Sequence, residues 1–288
     1  MARGMVVALT ALVGACGTVD MEAQSSTASP LSFEVASVRP NNSTEFRGAG
    51  WDFLPGGRFM ATNLPLYWII SLAYDVAPQS VRLSGGPSWI RSEKYDIEAL
   101  AAADAVPGSL SRRERDQRIR KMLQALLADR FKLTMRHESK EMPVYAVVVS
   151  KGGPKLQEAD IHEKDCPIAR TQDGTSCHVI NGGMGRGMHG KAVSVADMAQ
   201  FVENWSDRPV IDKTGIEGLF EIDTDGWAPM RPRPLAPGAQ PTAEDIAMAD
   251  PTRPTLSLIF ERLGLKLETQ RAAVDTFAIE HVERPSVN

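Results

Sequence analysis

One order of patterned segments runs through this chain twice, and that doubling constrains the fold more than any single motif. The first run opens on Phe33-Glu34-Val35-Ala36-Ser37-Val38, which alternates apolar and polar residues as a half-buried strand does. A turn-rich stretch, Asn41 to Gly57, leads to a strand at Arg58-Phe59-Met60-Ala61-Thr62. Asn63 reads as a helix N-cap with Pro65 in the first turn, and Leu66, Ile69, Ile70 and Ala73 share one helical face. Val81 to Leu83 and the turn Gly85-Gly86-Pro87 precede a strand at Tyr95 to Ala99. A small-residue loop then gives way to a second helix from about Arg112 to Asp129, whose stripe is Ile119, Met122, Leu123, Leu126 and Leu127. Strands at Phe131 to Glu138 and Val144 to Val149 close the run.

The second run starts at Cys177 to Asn181, with a Gly-rich turn and a strand from His189 to Val193. Ser194 with Asp197 reads as a capping box, and Met198, Phe201, Val202 and Trp205 make the helical stripe. Val210-Ile211, a turn at Thr214-Gly215 and a strand at Leu219 to Asp223 follow. A loop with seven prolines spans Ala228 to Pro254. Leu256, Ile259, Phe260 and Leu263 form a short helix stopped at Gly264, ahead of strands at Leu265 to Thr269 and Val274 to Val282. Local matches support the doubling: Tyr95-Asp96-Ile97-Glu98 against Phe220-Glu221-Ile222-Asp223, Arg130-Phe131-Lys132-Leu133 against Gly264-Leu265-Lys266-Leu267, and Gly86 against Gly215. Common α+β grammar arising by chance is the competing explanation.

The expected fold is therefore α+β: two tandem ββαβαββ modules with mixed or antiparallel sheets, helices on one face, and a shared core. The modules are placed at 33–150 and 177–288, with a connector at 151–176 and a Pro-rich insert at 228–254. A hydrophobic content of 43% suffices for one large or two small cores. The net charge of -4 gives no concentrated basic surface, so nucleic acid is not an expected partner. No internal stretch reaches the roughly 18 apolar residues of a membrane helix.

The N-terminus reads as an export signal over residues 1–24. Arg3 is followed by an apolar run from Met5 to Gly14, too short to span a bilayer, and then by small and polar residues. Val13-Gly14-Ala15-Cys16 resembles a lipobox that would lipidate Cys16 and anchor the protein to a membrane; cleavage near Ala23-Gln24 is the alternative. Residues 25–32 form a linker. Export into an oxidising compartment makes a disulfide between Cys166 and Cys177 the expected pairing.

The motifs Asn63-Leu64-Pro65-Leu66, Ala73-Tyr74-Asp75, Gly86-Pro87-Ser88-Trp89-Ile90, Tyr95-Asp96-Ile97, Asp129-Arg130-Phe131 and Asp212-Lys213-Thr214-Gly215 resemble the soil-associated protein family. These are exported proteins of soil bacteria that carry a domain of unknown function. The likeness runs from about residue 31 to Glu283-Arg284-Pro285. It implies an envelope location and a fold, with no established activity. The same domain is attached to membrane metallopeptidases of the beta-lactam-sensor type. Their spanning helices and zinc motif are not read in this sequence, so only a sensor-like role carries over. Ala192 to Val282, with the turn Gly264-Leu265-Lys266-Leu267, also looks like the short N-terminal domain of secretins and TonB-dependent transducers, which implies a protein-docking module.

Candidate chemistry is sparse. The glycines of Gly182 to Gly190 resemble a phosphate cradle, but a strand follows where a helix N-terminus is needed. His162, Cys166, Cys177 and His178 do not have the spacing of a known zinc finger, and disulfide pairing competes for both sulfurs, so no metal and no cofactor is expected. No Gly-x-Ser-x-Gly elbow presents a nucleophile. Asp96, Glu98, Glu221 and Asp223 could converge between the modules as hydrolytic acids, the alternative to a binding role. Trp51, Trp89 and Trp227 fall in loops, where exposed aromatics serve recognition, whereas Trp68 and Trp205 fall in helices as core or flank. Tyr74, Asp75, Gly86, Pro87, Tyr95, Asp96, Asp129, Arg130, Asp212, Thr214 and Gly215 read as structural positions of turns and strand crossings. The expectation is a non-catalytic envelope protein that binds a protein or a cell-wall polymer.

Overall fold

A computed structural model describes residues 31–43, 48–167, 176–228 and 252–285, with Met1, Met230 and Gln240. The segment expected to be an export signal, Cys16, most of the expected linker and most of the Pro-rich insert lie outside the described residues. Among the described residues the fold is mixed α+β, with four α-helices and three four-stranded sheets.

The first sheet holds β1 (Phe33–Pro40), β2 (Gly50–Leu54), β3 (Arg58–Pro65) and β5 (Lys94–Ala101), in the order β1-β5-β3-β2 and antiparallel throughout. The third holds β7 (Gln157–Glu158), β8 (Asn181–Gly183), β9 (Gly187–Val193) and β11 (Phe220–Asp223), in the order β7-β11-β9-β8, again antiparallel. Between them in strand usage is the second sheet, ordered β10-β6-β12-β4. Its two central strands, β6 (Thr134–Val149) and β12 (Leu265–His281), pair antiparallel from Leu265 opposite Val149 to His281 opposite Thr134. The short strands at its edges cross over: β4 (Leu83–Gly85) runs parallel to β12, and β10 (Val210–Asp212) runs parallel to β6.

Each terminal strand pair expected from the sequence is one long strand. Ser139 to Pro143 looks like a turn, yet Val274 to Arg271 pair opposite Lys140 to Pro143 without a break. A ribbon partner of equal length supplies the hydrogen bonds that keep both strands extended.

The helices begin where local chemistry allows. In α2 (Arg112–Arg130), Ser111 and Glu114 satisfy each other's backbone N–H groups in a capping box, and Ile119, Met122, Leu123, Leu126 and Leu127 form the buried stripe. In α3 (Val195–Glu203), Ser194 and Asp197 do the same. Thr255 caps α4 (Leu256–Arg262) through Leu258 N–H. Asn63 does not cap α1 (Leu66–Ala73). It lies in β3 with φ 55°, and its N–H donates to Asp96 Oδ1 at 2.8 Å, because β3 runs on to Pro65 before the helix begins.

Two large cores replace the single shared core expected. The first unites Phe59, Leu66, Ile70, Ile97, Leu123 and Phe131, and Ile279 of β12 enters it. The second unites Met188, Met198, Val202, Ile222, Trp227 and Phe260, and Val147 of β6 enters it. Each core is thus sealed by a residue from the long strand of the other half. Such burial, at about 25 cal/mol per Å2 of apolar surface, ties the halves together.

Candidate functional site

The outer face of the third sheet carries a cleft of about 490 Å3. Strand alternation builds it. On β9, Met188 and Ala192 point inward while His189 and Lys191 point out; on β11, Phe220 and Ile222 are buried while Glu221 and Asp223 face solvent. Register sets Asp223 opposite His189. Gln157, on the short edge strand β7, donates to Glu221 at 3.0 Å, and Lys191 pairs with the same carboxylate at 2.9 Å. The hairpin between β8 and β9 closes tightly because Gly182 has φ 118° and a Cβ there would sit 2.1 Å from the Gly187 carbonyl oxygen.

His189 divides this cleft from a second one of about 440 Å3, which Arg186, Asp225 and Arg262 line. Its Nδ1 lies 2.6 Å from Asp223 and its Nε2 2.7 Å from the Arg186 carbonyl oxygen. A carbonyl only accepts, so Nε2 carries a proton there. The Arg186 carbonyl, and then Asp223, hold the imidazole pKa above its ordinary value. Both ring nitrogens are engaged by oxygen partners of this chain, so neither is turned toward a substrate. What the arrangement offers instead is a row of fixed charges of both signs, with Arg262 paired to Asp225 at 2.9 Å extending it.

A second constellation lies beside the disulfide that joins Cys166 and Cys177. His178 has φ 61°, which turns its ring between two carboxylates. Nδ1 is 2.7 Å from Asp197 Oδ2 and Nε2 is 2.8 Å from Glu163 Oε2. Burial favours the neutral ring, but the Asp197 hydrogen bond and the two negative charges outweigh it, and the pKa is raised. Burial likewise opposes ionisation of Asp197, yet His178 and Ser194 hold its carboxyl below the usual range. One ligand atom each from Glu163, Cys166 and His178 lie within 4.8 Å of one another. His162, grouped with the cysteines by sequence, is exposed, and Glu163 takes its place. Spacing alone gave no sign of Glu163 or Asp197, because each meets His178 through a chain reversal.

The three loop tryptophans do not meet in a groove. Trp51 is 47% exposed on β2 beside Phe53. Trp89 is half-buried beneath the Arg284 guanidinium, which also holds Glu93. Trp227 is fully buried edge-on to Trp205, because the bend after Asp223 turns it into the second core. Trp68, read as core or flank, is 46% exposed on α1, and Trp205 follows α3 rather than lying in it. Asp96 and Glu98 belong to the first sheet and line neither cleft of the third, so the four candidate acids do not share those clefts.

The remaining sequence-selected residues lie at joints. Tyr74 meets the Phe277 ring at a tilt of 54°, and Asp75, at φ 53°, pairs with Arg120 at 3.0 Å. Gly86 has φ 75°, and Pro87 precedes the short 3-10 turn that carries Trp89. Tyr95 meets Phe131 edge-on; burial and then the Glu93 charge push its hydroxyl up to about 12. Asp96 also accepts from Asn41. Asp129 and Arg130 pair at 3.2 Å at the end of α2. Asp212 accepts from the Thr214 N–H and hydroxyl, and Gly215 follows with φ 66°.

No described helix is long and apolar enough to cross a membrane. Compared with known proteins, residues 67–282 match a family model described as Protein of unknown function (DUF3738). No curated protein and no solved structure matches the chain.

Proposed function

The chain belongs to the DUF3738 family of proteins of unknown function, and from that premise we propose an exported, non-catalytic binding module of the cell envelope. Its binding face is the cleft on the third sheet. The observation that carries this reading is the row His189, Lys191, Glu221 and Asp223, set outward on two paired strands with every charge already held by a neighbour. Preset charges of both signs suit a partner that carries amines and carboxylates together, such as an extended peptide segment of a protein or the peptide part of a cell-wall polymer. Trp51 and Trp68 add exposed aromatic surface elsewhere. Export by the N-terminal signal, with or without a lipid on Cys16, would bring the module to that partner.

The two halves are read as copies of one module. In support, adding six to each label of the first sheet, β1-β5-β3-β2, yields the third, β7-β11-β9-β8. The same shift relates the two ends of the middle sheet, where each half lends its short strand to the long strand of the other. Duplication offers a rigid frame with a similar sheet at either end, which fits scaffolding better than a single reactive centre.

Isothermal calorimetry with soluble peptidoglycan fragments and a zwitterionic peptide tests the site. The wild-type chain should bind one of these saturably, and Glu221→Lys should weaken binding at least about tenfold, the loss expected when a favourable charge becomes repulsive. Equal binding by Glu221→Lys, or none by the wild type, would remove the proposal. Turnover of either probe would favour the hydrolase reading instead.

A further inference from the structure

We propose that the Cys166–Cys177 region is a redox-gated metal site: disulfide when oxidised, and on reduction a Cys166, Cys177, His178 and Glu163 ligand set for a thiophilic divalent cation such as Zn2+. Three of the four residues already bring a ligand atom within 4.8 Å of one another, and Cys177 is covalently joined to one of them. Two thiolates, an imidazole and a carboxylate make a four-ligand set of the kind zinc accepts.

The histidine is arranged for this role. Asp197 receives the proton on Nδ1, so Nε2 is the nitrogen left to coordinate; a carboxylate on the far nitrogen is the usual support of a metal-bound histidine. Asp197 is itself held by the Ser194 N–H and hydroxyl at the start of α3. On the other side, only a proton separates Nε2 from Glu163 Oε2. A cation replacing that proton would meet both atoms. The second Glu163 oxygen, Oε1, is buried with no hydrogen-bond partner among the described residues. Burial disfavours the charge of Asp116 on α2, whose carboxyl also interacts with the ring, while Arg113 opposes protonation of the ring. Ala159, Ala192 and Leu219 surround the sulfurs with apolar groups, which shield a bound ion from water.

The redox step balances with a dithiol reductant. Its two sulfurs become a disulfide, the Cys166–Cys177 bond breaks, and two electrons and two protons pass to the cysteines. Metal binding then releases the thiol protons and the Nε2 proton to solvent. The oxidised pair has no thiolate to offer, so the disulfide closes the site while keeping its residues together.

Anaerobic Co2+ titration of the full chain, oxidised and dithiol-reduced, tests this. The reduced chain should develop thiolate-to-cobalt charge-transfer absorption that Zn2+ abolishes, and the oxidised chain should not. Cys166→Ser should weaken the band, Cys166→Ser with Cys177→Ser should remove it, and His178→Gln and Glu163→Gln should weaken binding. Asp197→Asn, which leaves all four ligands, should weaken Zn2+ by about 10- to 100-fold. Circular dichroism of each sample reports the fold. No cobalt band in a natively folded reduced chain would overturn the site. So would unchanged affinity in His178→Gln, or loss of the native spectrum on reduction with Zn2+ present.

Discussion

Arg82, in the loop before β4, donates through Nε to Glu203 of α3 at 2.8 Å, and the Glu203 side chain is 1% exposed. Ser80 Oγ and the Val210 N–H also donate to that carboxylate, so a charge from the second half is satisfied largely by the first. Removing one partner of a buried pair leaves an uncompensated charge. Arg82→Met should destabilise the chain by about 3 kcal/mol in urea unfolding, at the low end for such pairs because two donors remain. Arg82→Met with Glu203→Gln, which removes the charge but keeps an acceptor for the Ser80 hydroxyl and the Val210 N–H, should recover most of the loss. A double variant weaker than the single one would refute this account.

His178 predicts a pH-dependent stability. Its pKa is raised above the ordinary 6.5, so its stabilising share is whole below pH 6.5 and fades as pH rises through the folded value. Asp197 is lowered below the ordinary 3.8, so its share is present above that pH and fades as pH falls through its folded value. The pair therefore contributes most between those limits. His178→Gln should cost about 1.5–3 kcal/mol near pH 5.5, the range for charged hydrogen bonds, and clearly less near pH 9. The half-buried Glu163 partner, whose side chain is 42% exposed, adds less than Asp197 because solvent partly screens it. Urea midpoints at the two pH values measure the difference, and equal costs would contradict it.

The ends of α2 and α4 differ in one informative residue. Lys132 has φ 49° just past the Phe131 cap, and Gly264 has φ 71° just past the Leu263 cap. A left-handed residue ends both helices, but only glycine takes that conformation without strain. Lys132, exposed and strained, should gain up to about 1 kcal/mol on change to glycine. Gly264→Ala should lose more than about 1 kcal/mol, since its Cβ would also lie 2.2 Å from the Gly153 carbonyl oxygen. Thermal unfolding of the two variants reads both signs.

The crossed edge strands predict that neither half folds alone. Residues 31–152 lack β12, the partner of both β4 and β6, and residues 153–288 lack β6, the partner of both β10 and β12. Expressed separately, each should be insoluble or unfolded by circular dichroism; co-expressed, they should co-purify as a folded pair. A folded first half on its own would contradict the exchange.

Local chemistry was legible from the residues. The capping box at Ser194, the α2 stripe and the cysteine pairing all depend on neighbours close in sequence, and periodicity or composition records those. Three things were decided only by tertiary contacts. Lys140 to Pro143 stayed extended because β12 lies alongside. Trp227 went inside because Trp205 and the second core were there to receive it. Glu163 and Asp197 met His178, and Arg82 met Glu203, across separations that no pattern encodes. A sequence specifies which face of a strand or helix is apolar, but the partner that covers that face, or neutralises a charge on it, is selected by the total burial of the assembled sheets.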